Sequence, residues 1–241
     1  MRGKDSLVAE KLAIEQALGQ FLWNIYRSLG IGIAGLLKNT GLKPNHITWF
    51  SFVFGLVSSG FFFFQPNYFG FLTGSIFLLL SIIFDYTDGS LARMNEQVSH
   101  YGWYLDQVLD DFNELFFILS LSVGLHRLTG DYRVWICGIL IYASDHFGEL
   151  AMTRFKTIFL GETATGIGNL QNIIDHNSII YRLGRNVTPV WLWRATLIIP
   201  FALLDQMLLF FVIFSVYGSM IALALTLFVG RKIKNKGKKE T

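Results

Sequence analysis

With 241 residues, 52% of them hydrophobic and only 15% charged, the chain is too poor in charge for an average soluble domain, where about 25% of residues are charged. Twenty-three phenylalanines and a mean hydropathy of +0.45 point to lipid as the main solvent and to no nucleic-acid partner. The formal charge of +3 hides a strong asymmetry of basic residues, and the single cysteine, Cys137, excludes an internal disulfide and reads as a small packing residue.

The first thirty residues, with Lys4, Asp5, Glu10, Lys11 and Glu15, are too polar for a secretory signal peptide. Within residues 6–28, Leu7, Val8, Leu12, Ile14, Ala17, Leu18, Phe21, Leu22 and Ile25 recur at helical spacing, which predicts an amphipathic helix lying in the inner membrane interface. Lys43-Pro44-Asn45 breaks the chain before the first span. A spanning helix needs about 20 mostly apolar residues. Six segments are expected to span: Ile47–Phe64, Tyr68–Phe84, Gly102–Leu125, Val134–Thr153, the short Val190–Leu204, and Met207–Val229. The fold class is therefore all-α: a polytopic membrane protein with six transmembrane helices and an N-terminal interfacial helix. In domain terms, 1–43 is a cytoplasmic amphipathic segment, 44–230 the membrane domain and 231–241 a basic tail.

With the N-terminus in the cytoplasm, eighteen of the twenty Lys and Arg fall inside and only Arg127 and Arg133 outside. Basic residues concentrate on the cytoplasmic side of membrane proteins. Both termini are accordingly assigned to the cytoplasm, in a multi-pass protein of the cell membrane whose tail lies near lipid headgroups. The polar stretch from Phe155 to Thr188 is long enough to be a functional loop.

Ionisable groups at membrane depth are costly and are functional candidates by default. Asp85 and Asp88 are spaced i, i+3; Asp106, Asp110 and Glu114 follow at i, i+4. Each spacing puts its carboxylates on one helix face, so two antiparallel helices can present four facing aspartates near the cytoplasmic surface. Such a group repels itself unless protons or cations intervene. Hard divalent cations suit an all-oxygen ligand set, and cysteine and histidine, which zinc prefers, are absent from it. Gly89 permits close approach of a ligand to the backbone, and Arg93, one turn on, suits phosphate oxygens. The bland alternative is a loop of solvated acids.

The run Asp85, Asp88-Gly89, Ala92-Arg93, Gly102, Asp106, Asp110 matches without a gap the signature of the CDP-alcohol phosphatidyltransferases, which the chain resembles; Pro44, Asn45 and Thr48 and the six-span layout are similar too. Within the family, the chain resembles phosphatidylglycerophosphate and phosphatidylinositol phosphate synthases. The resemblance implies that Asp85, Asp88, Asp106 and Asp110 bind two Mg²⁺ or Mn²⁺ ions. It implies that Asp110 is also the general base for the acceptor hydroxyl. Asn45, Thr48, Asp88, Gly89, Ala92, Arg93, Ser99 and Gly102 would contact a CDP-linked lipid donor such as CDP-diacylglycerol. CMP would leave, a small polar alcohol with or without a phosphate would accept the lipid phosphate, and the protein would be a homodimer in membrane lipids.

A phosphate-bearing acceptor calls for further cations; Arg154 and Arg185 are the first candidates, with Lys156, Arg182 and Arg194 behind them. The same residues also satisfy the positive-inside pattern. Asp145 and Glu149 are expected to pair with Arg154 or Arg194, or to touch an acceptor hydroxyl; Asp111 and Glu114 are expected to orient the metal ligands. Two other functions fit the acidic cluster less well. A membrane prenyltransferase would release pyrophosphate instead of CMP. A transporter would show two similar halves, and the sequence shows none.

Overall fold

Short polar side chains and one proline set where the helices begin. The computed structural model describes residues 21–160 and 190–240, and among these the chain forms seven α-helices and no strand. They are α1 (Phe21–Leu37), α2 (Pro44–Phe64), α3 (Tyr68–Met94), α4 (His100–Thr129), α5 (Arg133–Leu160), α6 (Val190–Leu203) and α7 (Met207–Glu240). Pro44 stands first in α2, where its missing N–H costs nothing. The Asn67 side chain accepts from the Gly70 N–H at 3.0 Å to start α3, and Ser99 Oγ accepts from the Gly102 N–H at 3.0 Å to start α4. Two non-glycine residues in the left-handed region end helices: Glu96 (φ 54°) after α3 and Asp205 (φ 55°) after α6. In each turn the next N–H reaches back to a helical carbonyl, Gln97 to Ala92 and Gln206 to Phe201, both at 2.8 Å.

Three helical segments are long and apolar enough to cross a membrane: Pro44–Phe64, Tyr68–Met94 and Met207–Arg231. The expected first, second and sixth spans are among them. α4 and α5 are long, at 30 and 28 residues, but carry the acidic residues; α6 is apolar but has only 14 residues. Of the expected interfacial helix, residues 6–20 lie outside the described residues, and α1 runs on to Leu37, beyond the expected end at residue 28. α3 continues through Asp85 and Asp88 to Met94 rather than stopping at Phe84. Its polar residues stay helical because Thr87 and Ser90 donate to the carbonyls of Ile83 (2.7 Å) and Tyr86 (2.8 Å) in their own helix. α7 likewise extends through most of the basic tail, whose lysines are good helix formers.

The chain divides into two compact units. The first comprises the residues up to Phe54 with Leu79–Asp110. Here Ala34, Ile47 and Leu91 form a small core. Ser51 and Ser81 clasp α2 to α3: Ser51 Oγ donates to the Ser81 carbonyl at 2.9 Å, and Ser81 Oγ returns the bond at 2.8 Å. α1 lies directly on α3. A Cβ on Gly30 would stand 2.7 Å from the Tyr86 backbone, and the Tyr26 and Tyr86 rings stack at 6.0 Å.

The second unit comprises Gly55–Leu78 with Asp111 onward. Its core is built on phenylalanine: Phe62, Phe71, Phe117, Phe210, Phe211 and Phe214, filled in by Leu121, Leu125, Ile141 and Ile198. α7 packs along α5 and against α6. Small residues allow the closest approaches, as membrane helices require. A Cβ on Gly124 would sit 2.2 Å from the Phe62 carbonyl oxygen, whereas one on Gly60 would meet nothing within 4 Å. Gly124→Ala should therefore strain the α2–α4 contact and destabilise by about 1–3 kcal/mol. Gly60→Ala should gain up to about 1 kcal/mol from helix propensity. Melting curves of the two variants in detergent check the contrast; equal shifts would contradict it.

Candidate metal and catalytic site

The site is assembled from three helix ends of the first unit. The serine clasp fixes α2 beside α3, which brings Thr48, one turn before Ser51, to the Asp88 carboxylate. The five-residue loop Asn95–Ser99 then turns the chain so that α4 runs back beside α3. One carboxylate oxygen from each of Asp85, Asp88 and Asp106 lies within 4.8 Å of the others. Asp88 is buried, at 6% exposure, and Asp85 and Asp106 are half-buried. Asp110 follows Asp106 by one turn of α4 and is near enough for its charge to act on Asp85. All four expected aspartates thus belong to this unit, three of them clustered within ligand distance.

This cluster fits a divalent cation on its own chemistry. Asp88 Oδ2 and Asp106 Oδ1 are buried and have no hydrogen-bond partner. An orphaned buried carboxylate oxygen carries a large desolvation cost. Three carboxylates facing one another repel unless a positive charge lies between them. Oxygen-only ligands select hard ions of the Mg²⁺, Mn²⁺ or Ca²⁺ type. The arrangement therefore supports divalent-metal binding.

The expected donor contacts gather beside the cluster. Gly102, Ser99 and Asn45 converge: a Cβ on Gly102 would lie 3.1 Å from Ser99 Oγ and 3.2 Å from Asn45 Oδ1. Ser99 also has a structural task, since its hydroxyl caps α4. Ala92 is half-buried on α3. Arg93 is exposed, with its Nη2 3.5 Å from Ser90 Oγ. Gly89 is half-buried, and a Cβ there would meet only the Arg93 guanidinium, at 3.5 Å, an ordinary contact. The fold itself thus tolerates a side chain at position 89. An open cleft of about 540 Å³ lies nearby, lined by Lys38, Gly41 and Lys43 from the α1–α2 link and by Met94, Glu96 and Gln97 after α3.

Other expected residues fall elsewhere. Arg154 is exposed on α5, and Arg185, with Arg182, lies outside the described residues. Asp111 is exposed. Glu114, expected to orient the metal ligands, accepts a hydrogen bond from Arg194 Nη2 at 2.8 Å. Arg194 Nη1 donates to Asp145, so the ion-pair expectation for Asp145 holds. The His146 and Tyr142 rings lie 4.1 Å apart, tilted by 36°, with His146 Nδ1 3.0 Å from the Tyr142 carbonyl. Sequence reasoning missed Ser51, Ser81 and the Gly30–Tyr86 contact. Two buried serines in apolar runs were the available signal.

Residues 42–169, over half of the chain and including all four aspartates, match the family model of the CDP-alcohol phosphatidyltransferases. The chain is 28% identical over 131 residues to an archaetidylinositol phosphate synthase of Pyrococcus horikoshii, covering 54% of this chain and 68% of that protein. It is 24% identical over 155 residues to a bifunctional IPC transferase and DIPP synthase of Aquifex aeolicus, covering 63% of this chain. The chain spans only a third of that bifunctional protein's length. A crystal structure of the phosphatidylinositol phosphate synthase of Mycobacterium tuberculosis with CDP-DAG bound aligns over 85% of this chain and 92% of its own, at 18% identity and a TM-score of 0.48. On the match across residues 42–169, this chain belongs to the CDP-alcohol phosphatidyltransferase family.

Proposed function

We propose that the protein transfers a phosphatidyl group from a CDP-alcohol such as CDP-diacylglycerol to an acceptor alcohol, releasing CMP, in phospholipid biosynthesis. The observation that carries this reading is the Asp85–Asp88–Asp106 cluster, with its orphaned buried oxygens, inside the stretch that matches the family. Asp85, Asp88, Asp106 and Asp110 would hold two Mg²⁺ or Mn²⁺ ions. Bound there, the cations supply positive charge against the donor diphosphate and the departing CMP.

The remaining steps fall to side chains. Asn45, Thr48, Asp88, Gly89, Ala92, Arg93, Ser99 and Gly102 would contact the donor. The Arg93 guanidinium suits the diphosphate oxygens. The Asp110 carboxylate takes the proton from the acceptor hydroxyl as that oxygen bonds to phosphorus and the bond to CMP breaks. Arg154 and Arg185 would bind an acceptor that carries phosphate. In this reading α4, α5 and α6 also lie in the membrane, making six spans, with both termini and the site on the cytoplasmic side, in a homodimer.

Gly89 offers a discriminating test. The fold accepts a Cβ there, so Gly89→Ala should leave thermal stability unchanged or raise it by up to about 1 kcal/mol. If the donor lies against this backbone, the methyl displaces it, and a misplacement near 1 Å costs about a hundredfold in rate. Steady-state kinetics beside a melting curve would show it; full activity would place the donor elsewhere.

The experiment for the function itself is CMP release by purified protein in detergent with CDP-diacylglycerol, Mg²⁺ or Mn²⁺, and a panel of acceptors. The Pyrococcus relative is an archaetidylinositol phosphate synthase, so inositol 1-phosphate heads the panel, ahead of glycerol 3-phosphate, inositol and serine. Release with one acceptor names the product. Pyrophosphate release, or solute flux without CMP, would replace this reading with a prenyltransferase or a transporter.

A further inference from the structure

Arg194 is the second cation, with Arg27, that the described residues hold buried, at 6% exposure. It stands on α6 and reaches two other helices. Nη2 donates to Glu114 on α4 at 2.8 Å, and Nη1 donates to Asp145 on α5. The guanidinium also lies over the Phe117 ring, 5.6 Å from its centre, one turn along α4 from Glu114. A fork of this kind has fixed geometry, because the guanidinium is planar and its two nitrogens point in set directions. Three contacts, two of them to α4 and one to α5, leave α4 little freedom to rotate about its axis at Glu114.

That rotation matters because of what else α4 carries. Glu114 stands four residues after Asp110 and eight after Asp106, so the three carboxylates share one stripe of a continuous helix. One end of the stripe faces the Asp85–Asp88 cluster; the other is held by Arg194. The proposed chemistry gives Arg194 no part to play, yet the fold tolerates a charged triad in which Arg194 is buried and Glu114 and Asp145 are half-buried. Such triads are often replaceable by apolar residues without loss of stability, so stability alone does not account for this one.

We propose that Arg194, Glu114 and Asp145 form a positioning device that sets the angular register of α4 and thereby aims Asp106 and Asp110 at their metal and substrate. Arg194 acts here through Glu114 and touches neither. The inference rests on the proposed reaction for its catalytic consequence, while its metal-binding consequence can be read without turnover.

The test measures Mn²⁺ binding by electron paramagnetic resonance, CMP release and melting temperature on the full-length chain. Wild type is compared with Glu114→Leu, Glu114→Gln and a core control, Ile198→Ala. Glu114→Leu removes the hydrogen-bonded ion pair to α4, and Arg194 keeps Asp145 as a neutral pair. Glu114→Gln retains an oxygen that accepts from Arg194. Ile198 is fully buried in the same core, so its truncation lowers stability without touching the triad.

We expect Glu114→Leu to weaken Mn²⁺ binding at least about tenfold, the size typical of lost support behind metal ligands, and to lower kcat with it. Glu114→Gln should restore Mn²⁺ affinity to within about threefold of wild type, a partner-retaining change of the kind that costs little. Ile198→Ala should melt earlier yet bind Mn²⁺ as wild type does. Wild-type affinity in folded Glu114→Leu overturns the inference, as does an Ile198→Ala loss of the same size. If Glu114→Leu does not fold, Arg194→Lys decides the matter. A lysine keeps the charge but not the fork, and unchanged Mn²⁺ affinity there overturns the inference. A wild type that binds Mn²⁺ but releases no CMP with any acceptor would overturn the proposed reaction alone; one that binds no Mn²⁺ would overturn both.

Discussion

Asp110→Asn is expected to lower CMP release by about a thousandfold while leaving donor KM within a few fold. Asparagine keeps the shape and one oxygen but cannot accept a proton at neutral pH. General-base catalysis by a positioned group contributes typically about 10²–10⁴-fold. A thousandfold loss corresponds to about 4 kcal/mol of transition-state stabilisation. Asp110 lies one turn beyond Asp106 and acts electrostatically on Asp85, so the substitution also removes charge from the cluster. The glutamate variant separates the two effects. Asp110→Glu keeps the charge and the basicity but carries the oxygens one methylene further. It should recover Mn²⁺ binding ahead of rate. Steady-state assays with the best acceptor, run beside metal titrations, read both quantities. More than a tenth of wild-type activity in Asp110→Asn would remove this residue from the base's role.

Asp85→Asn should produce a pair of opposite stability effects. In chelator, the variant should melt at a higher temperature than wild type, because one of the three clustered carboxylates is gone. Two unit charges about 4 Å apart interact by about 4 kcal/mol at an effective dielectric of 20, an upper bound for this gain. With Mn²⁺ added, wild type should rise and overtake the variant. A ligand at 100 times its dissociation constant stabilises the folded state by about 2.7 kcal/mol. The variant lacks one of the three carboxylates whose oxygens lie within 4.8 Å of one another, so its Mn²⁺-dependent rise should vanish and its activity should fall below detection. Melting curves in detergent with and without Mn²⁺ give all four numbers. A variant that melts earlier than wild type in chelator would mean that Asp85 is held by hydrogen bonds rather than strained by repulsion.

The acidic cluster was legible in the sequence because its geometry is local. Once Asp85–Asp88 and Asp106–Asp110 lie on helices, the spacings i, i+3 and i, i+4 fix their shared faces, and the five-residue loop between the helices makes them neighbours. Most helix starts were legible for the same reason, since Pro44 acts within one turn. The end of α3 was not. Asp85, Asp88 and Gly89 look like a loop on composition, but Thr87 and Ser90 satisfy their hydroxyls within the helix and let it run on to Met94.

What only the tertiary structure decided are the pairings between residues far apart in the chain. The Ser51–Ser81 clasp joins positions 30 apart, and Arg194 reaches Asp145 across 49 residues and Glu114 across 80. Glu114 shows the difference most sharply. Its spacing from Asp110 assigned it to the metal stripe, and its partner proved to be an arginine on α6. Spacing determines which face of a helix a side chain occupies; the packing of other helices against that face determines what it meets.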